Sequence, residues 1–261
     1  MNLLAVEHVG ISFGGVRAVD DVSFAISPGE VFSIIGPNGA GKTTLFNLIS
    51  GVYRCDRGLV RLRGDDVSRL PPEALASRGL ARTFQNLQIF ARMSVEENVM
   101  VGVHRHEARH VLAHLLGLPS VRAENRRTRA EARRYLDMLH LRQAASQLAG
   151  SLSYGELKRL EIARAMASRP DILLLDEPAA GCNPTETAEI DDVIVGIARS
   201  GVAVLLVEHD MKLVMGVSDR VLVLDQGRVL AEGAPDDVAR NPSVIDAYLG
   251  HEKRAAGGDH V

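Results

Sequence analysis

The chain has only two cysteines in 261 residues, Cys55 and Cys182. Two thiols build no disulfide framework, so a reducing compartment fits best. No apolar stretch approaches the ~18 residues that cross a membrane. The longest, such as residues 202–207, have the length of a strand. Residues 1–9 contain Glu7 and His8 and lack a basic start followed by an apolar core, so no secretion signal is expected and any membrane association has to come through a partner. Excess charge is missing too. The 30 Lys and Arg against 33 Asp and Glu leave a net charge of −3, which removes the global electrostatic reason to expect nucleic acid or an anionic surface. There is no internal repeat. What is abundant is ordinary: 46% apolar and 24% charged residues, enough at this length for a real core in one or two domains.

Periodicity organises the chain. Val22, Phe24 and Ile26 alternate as in a half-buried strand, and residues 27–30, Ser-Pro-Gly-Glu, make a turn. Residues 31–35 are a short apolar run that stops at Gly36, and a second alternating strand is expected at residues 59–63. From residue 86 to about 150 the character is helical; residues 122–140 carry Ala, Arg, Glu and Leu without Pro or Gly. Residues 156–167 then read as a helix with Leu157, Leu160, Ala163 and Ala167 on one face. A buried strand at 172–175, a helix at 184–199 and strands at 202–207 and 221–224 follow. Strands alternating with helices predict an α/β fold with a mostly parallel sheet covered on both sides, the helical stretch being an insert.

Two segments carry chemistry. Gly36-Pro37-Asn38-Gly39-Ala40-Gly41-Lys42-Thr43-Thr44 has the P-loop spacing of Gly, four residues, Gly-Lys-Ser/Thr, after an apolar strand and before a helix at 44–50. Glycines let backbone N–H groups turn inward around an anion, and the helix N-terminus adds partial positive charge. Lys42 is expected to reach the β- and γ-phosphates of ATP, and the Thr43 hydroxyl to ligate Mg²⁺. An ordinary glycine-rich turn needs neither the Lys and Thr nor the flanking strand and helix. The second segment is residues 172–177, four apolar residues followed by Asp176 and Glu177. Its carboxylates emerge at the strand end where open α/β sheets bind ligands. Asp176 is expected to hold Mg²⁺ through water and Glu177 to act as general base on the attacking water.

At this point the chain resembles the ATPase subunits of ABC transporters, over about residues 6–250. Leu152-Ser153-Tyr154-Gly155-Glu156 looks like the family signature LSGGQ with Tyr and Glu substituted, and Ser153 is placed to cap the helix that it begins. The resemblance implies a P-loop NTPase (ABC ATPase) fold with an N-terminal antiparallel β subdomain and an inserted α-helical subdomain. It makes residues 1–250 one domain, with 1–85 and 151–250 as nucleotide-binding core, 86–150 as insert and 251–261 as a polar tail expected to be disordered. It also implies that Phe13 stacks on adenine and that Gln85 touches Mg²⁺ or the attacking water and senses the membrane partner. Residues 180–183 form the D-loop, and His209 contacts the γ-phosphate. In such subunits ATP is closed between two chains, so Ser153, Tyr154, Gly155 and Glu156 face the nucleotide of a second ATPase subunit, in a homo- or heterodimer.

Finer strings, Ala81-Arg82-Thr83-Phe84-Gln85, Asp176 through Gly181 with Asn183-Pro184, Arg159 through Arg164, and Asn241-Pro242 through Ala247-Tyr248-Leu249-Gly250, look like branched-chain amino-acid importers. Cys182 departs from the Leu usual there. The implied partners are two integral membrane permease subunits and, indirectly, a solute-binding protein, with the chain peripheral on the cytoplasmic face of the cell (inner) membrane. Relatives serving urea, other amides or lipopolysaccharide export share part of these marks. From other classes come a soluble ABC ATPase not coupled to transport and a non-hydrolysing regulator. The first usually carries two cassettes or a long coiled coil, absent here, and Glu177 and His209 oppose the second. Residues 87–101 combine Leu87, Ile89, Phe90 and Met93 with charges, as a docking groove for a permease helix or as subdomain core. His106-Glu107-Ala108-Arg109-His110 matches H-E-x-x-H without a supported third ligand. The basic run from Arg122 to Arg134 reads as a solvated helix with Glu124 and Glu131 pairing along it; no aromatics interleave for nucleic-acid stacking.

Overall fold

The computed structural model describes residues 2–83, 87–103 and 119–248. Strands β1 (Leu4–Phe13) and β2 (Val16–Ile26) form a hairpin through Gly14 and Gly15, whose φ values of 55° and 87° are those of a tight turn between right-twisted strands. Their register pairs Leu4 with Ile26 and Phe13 with Val16. β4 (Arg57–Leu62) joins β1 antiparallel, and β5 (Asp65–Asp66) completes a four-stranded sheet of order β2-β1-β4-β5.

The second sheet has six strands: β3 (Val31–Ile35), β6 (Leu80–Arg82), β7 (Ile172–Asp176), β8 (Ala203–Val207), β9 (Arg220–Asp225) and β10 (Arg228–Gly233). Their order is β10-β9-β3-β8-β7-β6, parallel except for the β9–β10 hairpin. β3, β7 and β8 are buried at every residue, as central parallel strands covered on both faces must be. The faces divide by alternation. Ile172, Leu174, Leu205 and Val207 join Phe32, Phe46 and the β1–β2 layer, whereas Leu173, Leu175, Val204 and Leu206 pack with the helices opposite. The expected α/β fold with a mostly parallel core sheet and an antiparallel N-terminal sheet is therefore observed.

The helices are α1 (Lys42–Ile49), α2 (Pro72–Ser77), α3 (Val95–Val103), α4 (Pro119–Met138), α5 (Tyr154–Met166), α6 (Pro184–Arg199), α7 (Met211–Val217) and α8 (Pro235–Ala239), and residues 242–248 are helical as well. Val95, Val99, Ala132, Leu136 and Leu160 bring α3, α4 and α5 together. Leu160, Ala163 and Ala167 are buried on one side of α5 with Leu157 packed beside them, as expected, but the helix is also wedged between α3, α4 and α6. Lys158, Arg159 and Glu161 are buried as well, and Arg159 is held by the Leu139 carbonyl at 3.3 Å and the Glu189 carboxylate at 2.9 Å. The described part of the basic run pairs with neighbouring elements. Arg129 and Arg133 clamp the nearly buried Glu96 of α3 at 2.9 and 2.6 Å, and Glu131 is taken by Arg169.

Leu205→Ala removes a side chain sealed inside β8 and is expected to cost roughly 2–5 kcal/mol in urea unfolding. Leu148→Ala, on a side chain that stands in solvent, is expected to stay within about 0.5 kcal/mol.

Candidate functional site

The site is assembled where strands end. β3 runs out at Ile35, and the chain turns through Gly36 (φ 148°) and Gly39 (φ 80°) to Gly41 (φ 102°), which caps α1 with no side-chain acceptor. No acid stands in the first turn of α1, so its amide N–H groups and dipole face the loop uncancelled. The Lys42 ammonium folds back, donating to the Gly36 carbonyl at 2.6 Å and the Pro37 carbonyl at 3.1 Å. Burial lowers the Lys42 pKa, with Glu177 pulling the other way. The loop walls a cavity of about 630 Å³ together with Val16, Arg17, Ala18, Glu177, Gln226 and Gly227. Pro37 does not line it, whereas Asn38 through Thr44 do.

Asp176 ends β7, nearly buried. Burial raises its pKa, opposed chiefly by Arg82, whose guanidinium lies 3.7 Å away. Arg82 is itself fixed by Asn47 of α1 and by Ser50, which caps that helix, both at 2.7 Å, and lies over the Phe46 ring. Glu177 is left-handed at φ 48°, a strained backbone for a residue with a Cβ, and its amide donates to the Val207 carbonyl at 2.9 Å. That bend turns the chain off the sheet and puts Glu177 in the cavity wall. His209, just past β8, brings Nδ1 to 3.7 Å from the Glu177 carboxylate. Glu208 beside it, a residue given no separate role on sequence grounds, is buried and accepts from the amides of Ala179, His209 and Asp210 at 3.2, 2.9 and 3.3 Å. It thereby ties the segment after Glu177 to the segment carrying His209. An acid flanked by apolar strand residues and His209 was the signal available for it.

Ser153 caps α5: its hydroxyl accepts from the Glu156 amide and the Glu156 carboxylate accepts from the Ser153 amide, a reciprocal capping box. Glu serves that box as well as Gln does, which accounts physically for the substitution at position 156. Tyr154 is largely exposed, with Lys158 over its ring. Cys182 is half-buried against the large core cluster.

One expected residue, Phe13, stands apart. It is outside the cavity wall, edge-on to Tyr53 with ring centroids 5.4 Å apart. Gln85 and the His106–His110 pair lie outside the described residues. Arg17, which the sequence reading passed over, lines the cavity and leans on Asp20, itself clasped by Arg57 and Arg228. Among the described residues no group of three His, Cys, Asp or Glu forms a metal cage. The Thr43 hydroxyl and Asp176 carboxylate are a hard-oxygen pair suited to Mg²⁺ that completes its shell with phosphate and water. A separate hollow of about 550 Å³ is lined by Leu87, Gln88, Ile89, Phe90 and Arg164, with the Arg164 guanidinium 5.6 Å over the exposed Phe90 ring.

A Cβ at Gly41 would meet the Ala18 carbonyl at 2.4 Å, whereas one at Gly39 would meet nothing within 4 Å. Gly41→Ala is therefore expected to lose more than about 2 kcal/mol and to distort the loop, and Gly39→Ala to lose only about 1 kcal/mol from its left-handed backbone, both read by urea unfolding.

Comparison with known proteins agrees with this geometry. The ABC transporter family model matches residues 19–180, and the model for the branched-chain amino acid ATP-binding cassette transporter matches residues 228–254. The chain is 45% identical to the high-affinity branched-chain amino acid transport ATP-binding protein BraF of Pseudomonas aeruginosa and 44% identical to LivG of Escherichia coli K12, covering 95% of this chain and 98% of each relative. It is 34% identical to the lipopolysaccharide export system ATP-binding protein LptB of Escherichia coli K12, over 97% of this chain and all of that one. Among solved structures, the ADP conformation of MJ1267, an ATP-binding cassette of an ABC transporter, superposes with a TM-score of 0.82 at 31% identity, covering 96% of this chain and 99% of that one. A glycine loop at the end of β3, paired acids at the end of β7 and a match along almost the whole length lead to one conclusion: the chain belongs to the ATP-binding cassette family of ABC transporters.

Proposed function

We propose that the chain is the ATP-hydrolysing subunit of an importer for branched-chain amino acids. The observation that carries the reading is the convergence of the Gly36–Thr44 loop, Glu177 and, against it, His209 on one cavity. Likeness to BraF and LivG supports the substrate class above the lipopolysaccharide alternative, to whose relative the identity is lower. Residues 1–250 act as one cassette, 86–150 being its helical insert and 251–261 its polar tail.

Chemically, Lys42 leaves the Gly36 and Pro37 carbonyls for the β- and γ-phosphates of ATP, and the first amides of α1 hold the same anion. Phe13 swings from Tyr53 to the adenine, while Arg17 adds positive charge at the rim. Thr43 and Asp176, with Gln85, hold Mg²⁺, which when bound neutralises developing charge on the phosphates. Glu177 takes the proton of the attacking water and His209 steadies the terminal phosphate, both fixed by the Val207 and Glu208 hydrogen bonds. Ser153, Tyr154, Gly155 and Glu156 meet the ATP of a second ATPase subunit, so turnover waits on closure of a dimer. The Leu87–Phe90 hollow beside Arg164 receives a helix of one of two permease subunits, which hold the chain at the cytoplasmic face of the inner membrane and pass on the signal of a solute-binding protein.

Glu177→Gln is expected to retain ATP and lower turnover by at least about a hundredfold, measured as phosphate release; unchanged turnover removes Glu177 from its role. Reversing the charge of Arg92, exposed two residues past Phe90 in the segment 87–101, by Arg92→Glu is expected to uncouple transport in vesicles while leaving basal ATPase intact; surviving transport sinks the docking reading. Reconstitution with the membrane partners and binding proteins loaded with leucine or urea separates the substrate classes: leucine is expected to stimulate ATPase, and stimulation by urea alone contradicts the assignment.

A further inference from the structure

The signature segment is not an open anion site in this chain; an anion of the chain's own already sits in it. Glu186 lies in the first turn of α6, far from the signature in sequence. Its Oε1 accepts from the Ser153 hydroxyl at 3.0 Å and from the Gly155 amide at 3.2 Å. Its Oε2 is engaged elsewhere, accepting from the Asn183 amide at 3.1 Å in the capping box of α6. The approach is close enough to fix the residue opposite: a Cβ on Gly155 would fall 2.6 Å from the Glu186 carboxyl carbon. The donors around Glu186, Asn183 first and Ser153 next, lower its pKa, so it is a carboxylate at neutral pH.

These two donors are the ones that the reading above turns toward the nucleotide of the second subunit, and this inference rests on that reading. A carboxylate and a terminal phosphate cannot share one hydroxyl and one amide, and at such range their charges repel. We propose that Glu186 is a clasp on the signature: it holds Ser153 and Gly155 while no second subunit is docked, and must yield both to the incoming phosphate, so that its release sets the ATP concentration at which two subunits close. The two oxygens divide the work. Oε1 is surrendered, while Oε2 keeps α6 capped through Asn183, and the Arg159–Glu189 pair at 2.9 Å keeps α5 and α6 joined. Closure therefore opens the clasp without loosening the helices, and an occupant that must first leave reduces apparent affinity by the fraction of sites still held.

The test uses the full-length chain carrying Glu177→Gln, titrated with ATP and Mg²⁺, with the dimer fraction followed by light scattering and folding checked by thermal melting. Glu186→Gln keeps the shape and removes the charge; it is expected to lower the ATP concentration for half-dimerisation about fivefold. Glu186→Asp, which keeps the charge on a shorter arm, is expected to fall between the two and serves if the first variant melts early. Ser153→Ala removes the contested hydroxyl; it is expected to raise the ATP requirement and to shrink the gain from Glu186→Gln. An unchanged or higher ATP requirement with Glu186→Gln, while Ser153→Ala still weakens the dimer, overturns the clasp and leaves the signature reading standing. No effect of Ser153→Ala, or no ATP-dependent dimer in the parent, overturns the signature reading and the clasp with it.

Discussion

The structure depends on a set of backbone amides that the fold leaves without internal partners. A helix begins with N–H groups that nothing inside it can satisfy, and α1 begins at the mouth of a cavity with a glycine cap that offers no side-chain acceptor. The fully buried β3 plants that helix start at the edge of the sheet, and the neighbouring strands deliver Asp176, Glu177 and His209 to the same edge. The arrangement is electrostatically suited to an anion, and Lys42, donating to the loop's own carbonyls, stands at the same place.

The carboxylates beside that place face opposite demands. Asp176 sits where burial favours its neutral form, and Arg82 works against that, reaching it from β6 while anchored on α1. Glu177 is bent into a left-handed backbone, a conformation that persists because the Val207 carbonyl on the adjacent strand holds its amide. Glu208 supplies the remaining constraint by joining the loop after Glu177 to His209. Positions that matter chemically are thus held by hydrogen bonds between strands that are distant in sequence.

That distance explains what was legible beforehand. The P-loop spacing, the strand 172–176 with its acids and the helix 184–199 were readable because each is local: a glycine pattern, a run of apolar residues, an Asn-Pro start. The Ser153 cap was readable for the same reason. The contacts of Glu96 with Arg129 and Arg133, and of Glu186 with Ser153, were not, because spacing along one helix says nothing about what a second helix brings against it. The burial of Lys158, Arg159 and Glu161 escaped a periodicity argument that assumes one wet face, an assumption that fails for a helix packed against three others. The contact of Phe13 with Tyr53 was likewise not readable, since 40 residues separate the two rings in sequence.

Titration calorimetry of the full chain with ATP and Mg²⁺, repeated on Lys42→Ala, tests the central claim most directly. One ATP bound per chain, with binding lost or weakened by at least about a hundredfold when the ammonium is removed, is the predicted result. ATP binding of equal strength in both proteins, or none in either, would contradict it.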